Sequence, residues 1–163
     1  MSLAVAALVS GCYAPNAVYP WEFSPAVWAK DGCSPVPGTY ANRGEADLAE
    51  KRPNTSPELA RYLLPDGARL AGVERVELIL DADRTLTVRA YRGTEIIGES
   101  GFTESPGGLD CAPGRALIRP LAVELYKGEN GDLILHVTER AWPEALLPRQ
   151  FVDANWARFP PLR

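Results

Sequence analysis

Apolar and polar residues alternate with a period of two along residues 75–90, apart from one interruption at Ala82–Arg84. Such alternation is typical of strands that bury one face, and the interruption predicts the turn of an antiparallel hairpin. The apolar positions of this hairpin are Val76, Leu78, Leu80, Leu86, Val88 and Ala90. After the Arg92-Gly93 turn, a third strand is predicted from Glu95 to Phe102.

The same alternation returns nearer the C-terminus, on both sides of Asn130-Gly131, which is a strong turn signal. The apolar positions are Leu121, Val123, Leu125, Leu133, Leu135 and Val137. They predict a second hairpin in which His136 faces away from the core and lies at the surface or at an interface. Further short strands are predicted at Gly38–Asn42 and at Trp156–Phe159.

A short helix is predicted between the strand at residues 38–42 and the first hairpin. Thr55-Ser56-Pro57-Glu58 has the spacing of a capping box, and apolar residues follow at helical spacing. Leu64–Gly67, with its Pro and Gly, ends this helix after about two turns. The chain is therefore mainly β, as a small antiparallel meander barrel or a curved sheet with one short helix; a β-sandwich is the alternative.

Some apolar residues fall on the strand face opposite the main stripe or at strand ends. They are Ile79, Tyr91, Ile96 or Ile97, Tyr126 and Ile134. They either pack under the helix and the N-terminal segment, or they line a pocket or a protein-binding face. The first interpretation is favoured, because a chain of this size has only one core's worth of apolar residues.

The composition supports one globular domain and argues against several classes of function. The chain has 163 residues, of which 46% are hydrophobic and 23% charged. Its net charge of -4 and pI of about 5.1 argue against nucleic-acid binding, which needs an electropositive face. No apolar run approaches the roughly 20 residues of a membrane-spanning helix.

The first twelve residues carry the clearest functional signal. Leu3–Val9 is an uncharged apolar run that leads into small residues and then Cys12. Small residues before a cleavage point are typical of export signals, and Val9-Ser10-Gly11-Cys12 resembles the lipobox of bacterial lipoproteins. The resemblance implies that residues 1–11 are a signal peptide and that Cys12 is lipidated. The alternative is a buried Cys12 thiol in an apolar N-terminal strand.

The resemblance to bacterial lipoproteins also implies a location. In that family the Cys thiol receives a diacylglyceryl group and the new amine an acyl chain such as palmitate. The protein is then anchored to a membrane of the cell envelope, facing the periplasm. Tyr13 stands where enteric lipoproteins of the inner membrane have Asp, which implies the outer membrane.

A second resemblance covers residues 33–159. Cys33, the stretch Pro37–Asn42 with Gly44, a cysteine in mid-chain and an aromatic-Arg-Phe ending are similar to uncharacterised small lipoproteins of Gram-negative bacteria. This second resemblance implies the same compartment, but it implies no particular activity.

The cysteine count fits an exported protein. There are three cysteines, and an odd number in an exported chain needs an explanation. If Cys12 carries lipid, Cys33 and Cys111 remain, and an oxidising compartment lets them form a disulfide. A metal site is the weaker alternative, because no two cysteines are close in sequence and the single His is not spaced as their partner.

Residues 12–32 are predicted to be a lipid-anchored tether, followed by one β-rich domain at 33–163. The segment is rich in Pro, Asn and Ser, but Trp21, Phe23 and Trp28 are interleaved with them. We expect part of the segment to pack back on the domain, with these aromatic rings completing the core rather than contacting a membrane surface or a ligand.

The chain offers weak signals for chemistry. Gly98–Phe102 lacks the second glycine position of a nucleophile elbow, and His136 is the only candidate base for its serine. Asp81–Thr85 begins like a calcium loop but reads as a turn. Glu95, Glu99 and Glu104 read as solvated surface charge. No catalytic residue, metal site or cofactor is predicted.

Three functions remain from the sequence. The first is a lipid-anchored envelope protein that acts non-catalytically through its surface, in structure, assembly or inhibition, with an envelope protein as a possible partner. The alternative is a small-ligand-binding barrel similar to lipocalin-like lipoproteins. An enzyme comes third, because no recognisable nucleophile, metal cluster or cofactor loop is present in the sequence.

Overall fold

The alternating segments form strands, and strand is the main regular structure of the described residues. The computed structural model describes residues 19–47, 56–138 and 155–163. Their strands are β1 (Gly38–Ala41), β2 (Glu45–Ala46), β3 (Arg75–Leu80), β4 (Thr85–Arg92), β5 (Glu95–Thr103), β6 (Leu109–Asp110), β7 (Ala116–Ile118), β8 (Val123–Lys127), β9 (Leu133–Val137) and β10 (Trp156–Phe159). One α-helix, α1 (Leu59–Leu63), and 3-10 turns at Gly67–Arg69 and Arg119–Leu121 complete them. The predicted mainly β class with one short helix is confirmed.

The first predicted hairpin is the centre of one antiparallel sheet with the strand order β1-β3-β4-β5. Strand β3 pairs with β4 along its whole length, from Arg75 to Leu80, so the alternating apolar side chains of the two strands share one face. The turn between them is closed by Asp81, whose carboxylate accepts a hydrogen bond from the Thr85 N–H at 2.8 Å. The reading of this stretch as a turn is thus confirmed.

The second predicted hairpin, β8 and β9, belongs to a second antiparallel sheet with the order β2-β10-β9-β8-β7-β6. At its turn Gly131 has a φ of +94°, which side-chain-bearing residues rarely adopt. The hairpin begins at Val123 rather than at Leu121, because Ala122 has a left-handed φ of +56° and interrupts the strand. The predicted closing strand is β10, and it lies between β2 and β9.

Both sheets and the helix bury their apolar faces in one core. Its largest fully buried side chains are Tyr40, Tyr62, Phe159, Leu59, Leu63, Leu78, Leu86, Leu109, Ile118, Leu121, Leu125 and Leu133. Within the described residues neither sheet closes on itself, so the architecture is two open, curved sheets of the sandwich-like class and not a barrel.

Helix α1 is capped by a residue far away in the sequence. Its N-cap position is Glu58, whose side chain makes no capping hydrogen bond, and Thr55 of the predicted capping box lies outside the described residues. Instead Asn42, at the end of β1, accepts from the Leu59 N–H at 2.7 Å through its carbonyl and from the Ala60 N–H at 2.9 Å through its side chain. The sheet, rather than the local sequence, therefore fixes where the helix begins.

The described part of the predicted tether, residues 19–32, is bonded to the second sheet. The Val27 N–H donates to the Lys127 carbonyl at 2.6 Å, and Ala29 accepts from the Gly114 N–H at 2.8 Å. The expectation that part of this segment packs back on the domain is confirmed.

The three aromatic residues of this segment have different environments. Phe23 is buried, with 5% of its surface exposed, and it packs with Ile134 and Trp156 on the outer face of the second sheet. Trp21 and Trp28 are 86% and 74% exposed. The expectation that these rings complete the core is right for Phe23 and wrong for both tryptophans, because the backbone bonds that hold the segment leave their indoles pointing into solvent.

The free edge of β1 is covered by the residues that follow β10. The Ala41 N–H donates to the Pro160 carbonyl at 3.0 Å, and the Leu162 N–H donates to the Thr39 carbonyl at 2.8 Å. An uncovered strand edge offers unpaired backbone groups to other chains, so this contact protects the first sheet on one side.

Candidate functional site

A disulfide joins the N-terminal segment to the loop after β6. Cys33 and Cys111 have Cα atoms 5.1 Å apart, and their bond closes a separation of 78 residues. Beside it, a Cβ on Gly32 would lie 2.0 and 2.1 Å from the carbonyl oxygens of Arg115 and Ala112, so only glycine permits this close approach. The predicted disulfide is present.

A group of ion pairs lies beside the disulfide. Arg84, at the β3–β4 turn, donates to both carboxylate oxygens of Asp31 at 2.7 and 2.9 Å, and its Nε donates to Glu104 at 2.6 Å. Asp31 also accepts from the Cys33 N–H at 3.1 Å. The hydrogen bonds from Arg84 hold the pKa of Asp31 below its usual range. Two sheets and the N-terminal segment therefore meet at this point.

Asp31, Cys33 and Cys111 place possible ligand atoms within 4.8 Å of one another. A metal ion binds cysteine as thiolate, and both of these sulfurs are committed to the disulfide. The Asp31 carboxylate is already bonded to Arg84. This group of side chains is therefore a structural junction between the N-terminal segment and the sheets.

A second polar cluster lies on the outer face of the second sheet, around the Glu124 carboxylate. The Arg115 guanidinium and the Tyr126 hydroxyl donate to it, the latter at 2.9 Å, and His136 Nδ1 lies 2.9 Å from Glu124 Oε2. Burial raises the pKa of Tyr126, so its hydroxyl keeps its proton and donates. His136 stacks on Trp156 with 4.1 Å between ring centroids. Aromatic rings therefore cover this polar cluster.

His136 faces away from the main core, as predicted, but it does not lie at the surface, which was one of the two predicted positions. Only 8% of its surface is exposed, because the aromatic residues packed on the outer face of the second sheet cover it. One signal in the sequence points to the contact: a hairpin turning at Asn130-Gly131 places Glu124 directly opposite His136.

The other sequence candidates for chemistry are dispersed. Ser100 of the rejected nucleophile elbow lies in β5 of the first sheet, whereas His136 lies in β9 of the second. The glutamates predicted as surface charge are each paired with an arginine. The pairs are Arg92–Glu95, Arg89–Glu99 and Arg84–Glu104, with separations of 3.2, 2.6 and 2.6 Å. These carboxylates balance charge on the first sheet.

An open cleft of about 290 Å³ lies beside the loop between β5 and β6. Its lining residues are Glu104, Ser105, Pro106, Leu109, Asp110 and Arg119. Small-molecule sites are enclosed and mostly apolar. This cleft is open to solvent, and its Arg119 is already bonded to Asp110 at 2.5 Å. It does not favour the ligand-binding alternative.

Cys12, the predicted lipidation site, lies outside the described residues, as do the rest of the lipobox and Tyr13. No helix among the described residues is long and apolar enough to cross a membrane. No protein-family model, curated protein or solved structure matches this chain.

Proposed function

We propose that this protein is a lipid-anchored protein of the bacterial cell envelope that acts non-catalytically through its surface. The anchor is a set of acyl chains on Cys12, the residue that ends the Val9-Ser10-Gly11-Cys12 motif. Two or more acyl chains give stable membrane attachment, whereas one gives only reversible binding.

The disulfide is the observation that carries this proposal. It accounts for Cys33 and Cys111 and so leaves Cys12 as the third cysteine of the chain. Disulfides form and persist in oxidising compartments such as the periplasm, which supports export. Export together with a third cysteine placed after Ser10-Gly11 is what lipidation requires.

The contacts of the polar side chains support a non-catalytic role. The Glu124 carboxylate is shared among three donors, and Arg84 bonds two carboxylates at once. These groups hold elements of the fold together, and Ser100 and His136 lie in different sheets. The proposed activity is therefore binding through the surface. The proposed partner is an envelope protein, and the role is structural, in assembly, or inhibitory.

Mass spectrometry of the N-terminal peptide tests the anchor. The full chain, expressed in a Gram-negative host that matures lipoproteins, is expected to begin at Cys12 and to carry acyl chains there. Cys12→Ser is expected to lose the lipid and to move from the membrane to the soluble fraction, whereas the Cys33→Ser/Cys111→Ser control stays with the membrane. An unmodified Cys12, or a Cys12→Ser chain that stays in the membrane fraction as completely as the wild type, would contradict the proposal.

The outer membrane is proposed because Tyr13 follows the lipidated cysteine. Separation of inner and outer membranes on a density gradient is expected to place the wild-type chain with the outer membrane. Tyr13→Asp is expected to move it to the inner membrane of an enteric host, and Tyr13→Asn serves as the uncharged control. Wild-type protein in the inner-membrane fraction would contradict this location.

A further inference from the structure

Two tryptophans near the N-terminal end of the described chain are exposed to solvent. Trp21 is 86% and Trp28 74% exposed, although Phe23 on the same segment is 5% exposed. The tryptophan side chain is a large apolar ring system with one N–H donor. An exposed tryptophan therefore leaves more apolar surface area in contact with water than any other side chain would. Two exposed tryptophan rings on one short segment indicate a binding surface.

The exposure follows from how the segment is held. The Phe23 N–H closes a turn onto the Pro20 carbonyl at 3.1 Å, with Trp21 inside that turn. The Val27 N–H donates to the Lys127 carbonyl at 2.6 Å, next to Trp28 in the sequence. The buried Phe23 ring and these bonds fix the backbone between the two indoles. Both indoles are presented by ordered structure on the segment that leads to the anchor.

The chain length places this segment close to the bilayer if Cys12 carries lipid. Trp21 lies nine positions after Cys12, and a fully extended chain spans at most about 3.6 Å per residue, so Trp21 stays within roughly 32 Å of its anchor point. Tryptophan is enriched at membrane–water interfaces, where its ring sits at the level of the headgroups and its N–H stays hydrogen-bonded.

We infer that Trp21 and Trp28 dock the N-terminal segment on the interface of the membrane that holds the anchor. This inference rests on the proposed function, because lipid on Cys12 supplies the proximity. The contact orients the domain, since the segment is bonded to the second sheet through Val27 and Ala29. The net charge of the chain is -4, so the contact depends on the indole rings and not on anionic lipids.

Quenching of tryptophan emission by lipid tests the contact in the anchored protein. Full-length protein with its Cys12 lipid verified by mass is reconstituted in phosphatidylcholine vesicles that contain lipids brominated near the headgroup. The wild-type emission is expected to be quenched, and Trp21→Ala/Trp28→Ala is expected to lose the quenched component. The matched control is Ile96→Ala/Leu162→Ala, which removes two exposed apolar side chains elsewhere (47% and 44% exposed) and is expected to behave as the wild type.

A second arm uses the full chain with Cys12→Ser, which has no lipid to dominate binding. Its partition into the same vesicles is expected to fall about tenfold when both tryptophans are replaced by alanine, a change that corresponds to about 1.4 kcal/mol. Replacing part of the phosphatidylcholine by phosphatidylglycerol is expected not to increase binding. Circular dichroism checks that every variant keeps its β-rich spectrum.

The outcomes separate this inference from the proposed function. An unlipidated Cys12 overturns the anchor, and the Cys12→Ser arm then decides the tryptophan contact by itself. Equal quenching in the wild type and the double tryptophan variant overturns the inference. So does capture of an envelope protein that depends on the two tryptophans without quenching by lipid, because the surface then belongs to a protein partner.

Discussion

Asn42 is a single residue that ties a strand to a helix. Its side-chain oxygen accepts a hydrogen bond from the first turn of α1. Its side-chain NH2 group donates to the carbonyl of Val73, just before β3, at 3.1 Å. Only 3% of its surface is exposed. Its loss would leave backbone groups of both segments without these partners, away from water.

Replacing Asn42 by alanine is therefore expected to lower the free energy of unfolding by about 2 kcal/mol, which is the scale of a lost cap together with a buried unsatisfied group. Urea denaturation followed by circular dichroism measures this. Ser56→Ala, an exposed position of the predicted capping box, is the control and is expected to change little. A loss from Ser56→Ala as large as that from Asn42→Ala would contradict the specific role of Asn42.

Glu124 is the other residue on which several contacts converge. Glu124→Gln keeps the shape but removes the charge that Arg115 and His136 face, so we expect a loss of about 2 kcal/mol in unfolding free energy. The matched control is Glu99→Gln, whose pair with Arg89 is exposed and is expected to contribute nothing measurable. Unfolding midpoints that shift equally in both variants would contradict the view that burial makes the Glu124 cluster important.

At the scale of elements, alternation predicted the long strands well. Leu86 and Val88 bury one face of β4 as the pattern requires, and the turn residues placed both hairpins. The short strands β2, β6 and β7 were not predicted, because two or three residues are too few to show a period and pairing alone defines them. Burial of His136 was missed for a related reason: alternation assigns a face but does not show what covers it.

The junction at Asp31 links the N-terminal segment to the β3–β4 turn, and its contribution depends on pH. The pKa of Asp31 is below its ordinary value of 3.8 because Arg84 donates to the carboxylate. A carboxyl group with a lowered folded-state pKa stabilises the fold above its unfolded pKa and loses that contribution as the pH falls through the folded pKa. The Asp31–Arg84 pair is partly exposed, so screening by solvent keeps its contribution to stability modest.

Asp31→Asn is expected to melt below the wild type at pH 7, and the difference is expected to shrink as the pH is lowered beyond about 4. Thermal unfolding of both proteins across this range measures it, with Glu104 still available to Arg84 in the variant. Asp66→Asn, in an exposed pair with Arg69, is the control. A gap between wild type and Asp31→Asn that stays constant down to pH 2 would contradict the assignment to the Asp31 charge.

At the scale of the whole molecule, the disulfide restrains the largest part of the chain. Closing a separation of 78 residues is worth up to about 4.5 kcal/mol in the chain-entropy description. Cys33→Ser/Cys111→Ser is expected to approach this loss in guanidinium denaturation while keeping its β-rich spectrum. Both thiols reacting with an alkylating reagent in wild-type protein taken from the envelope would contradict the disulfide and weaken the case for export.

The fold class and the disulfide could be predicted from the sequence, but the exposed tryptophans could not. Trp21, Phe23 and Trp28 look equivalent in an aperiodic segment, and only the hydrogen bonds to the second sheet decide which ring is buried. The junction of Asp31 with Arg84 likewise joins residues 53 apart that no local pattern connects.

The position of β10 has a consequence for the order in which the chain is made. Strand β2 pairs with β10, and the bond from Arg158 to Glu45 within that pair spans 113 residues. At synthesis rates of roughly 5–20 residues per second, β2 waits about 6–23 s for its neighbour to emerge from the ribosome. Until then the second sheet cannot be completed, so β2 and β9 gain their shared neighbour only after residue 159 has left the ribosome.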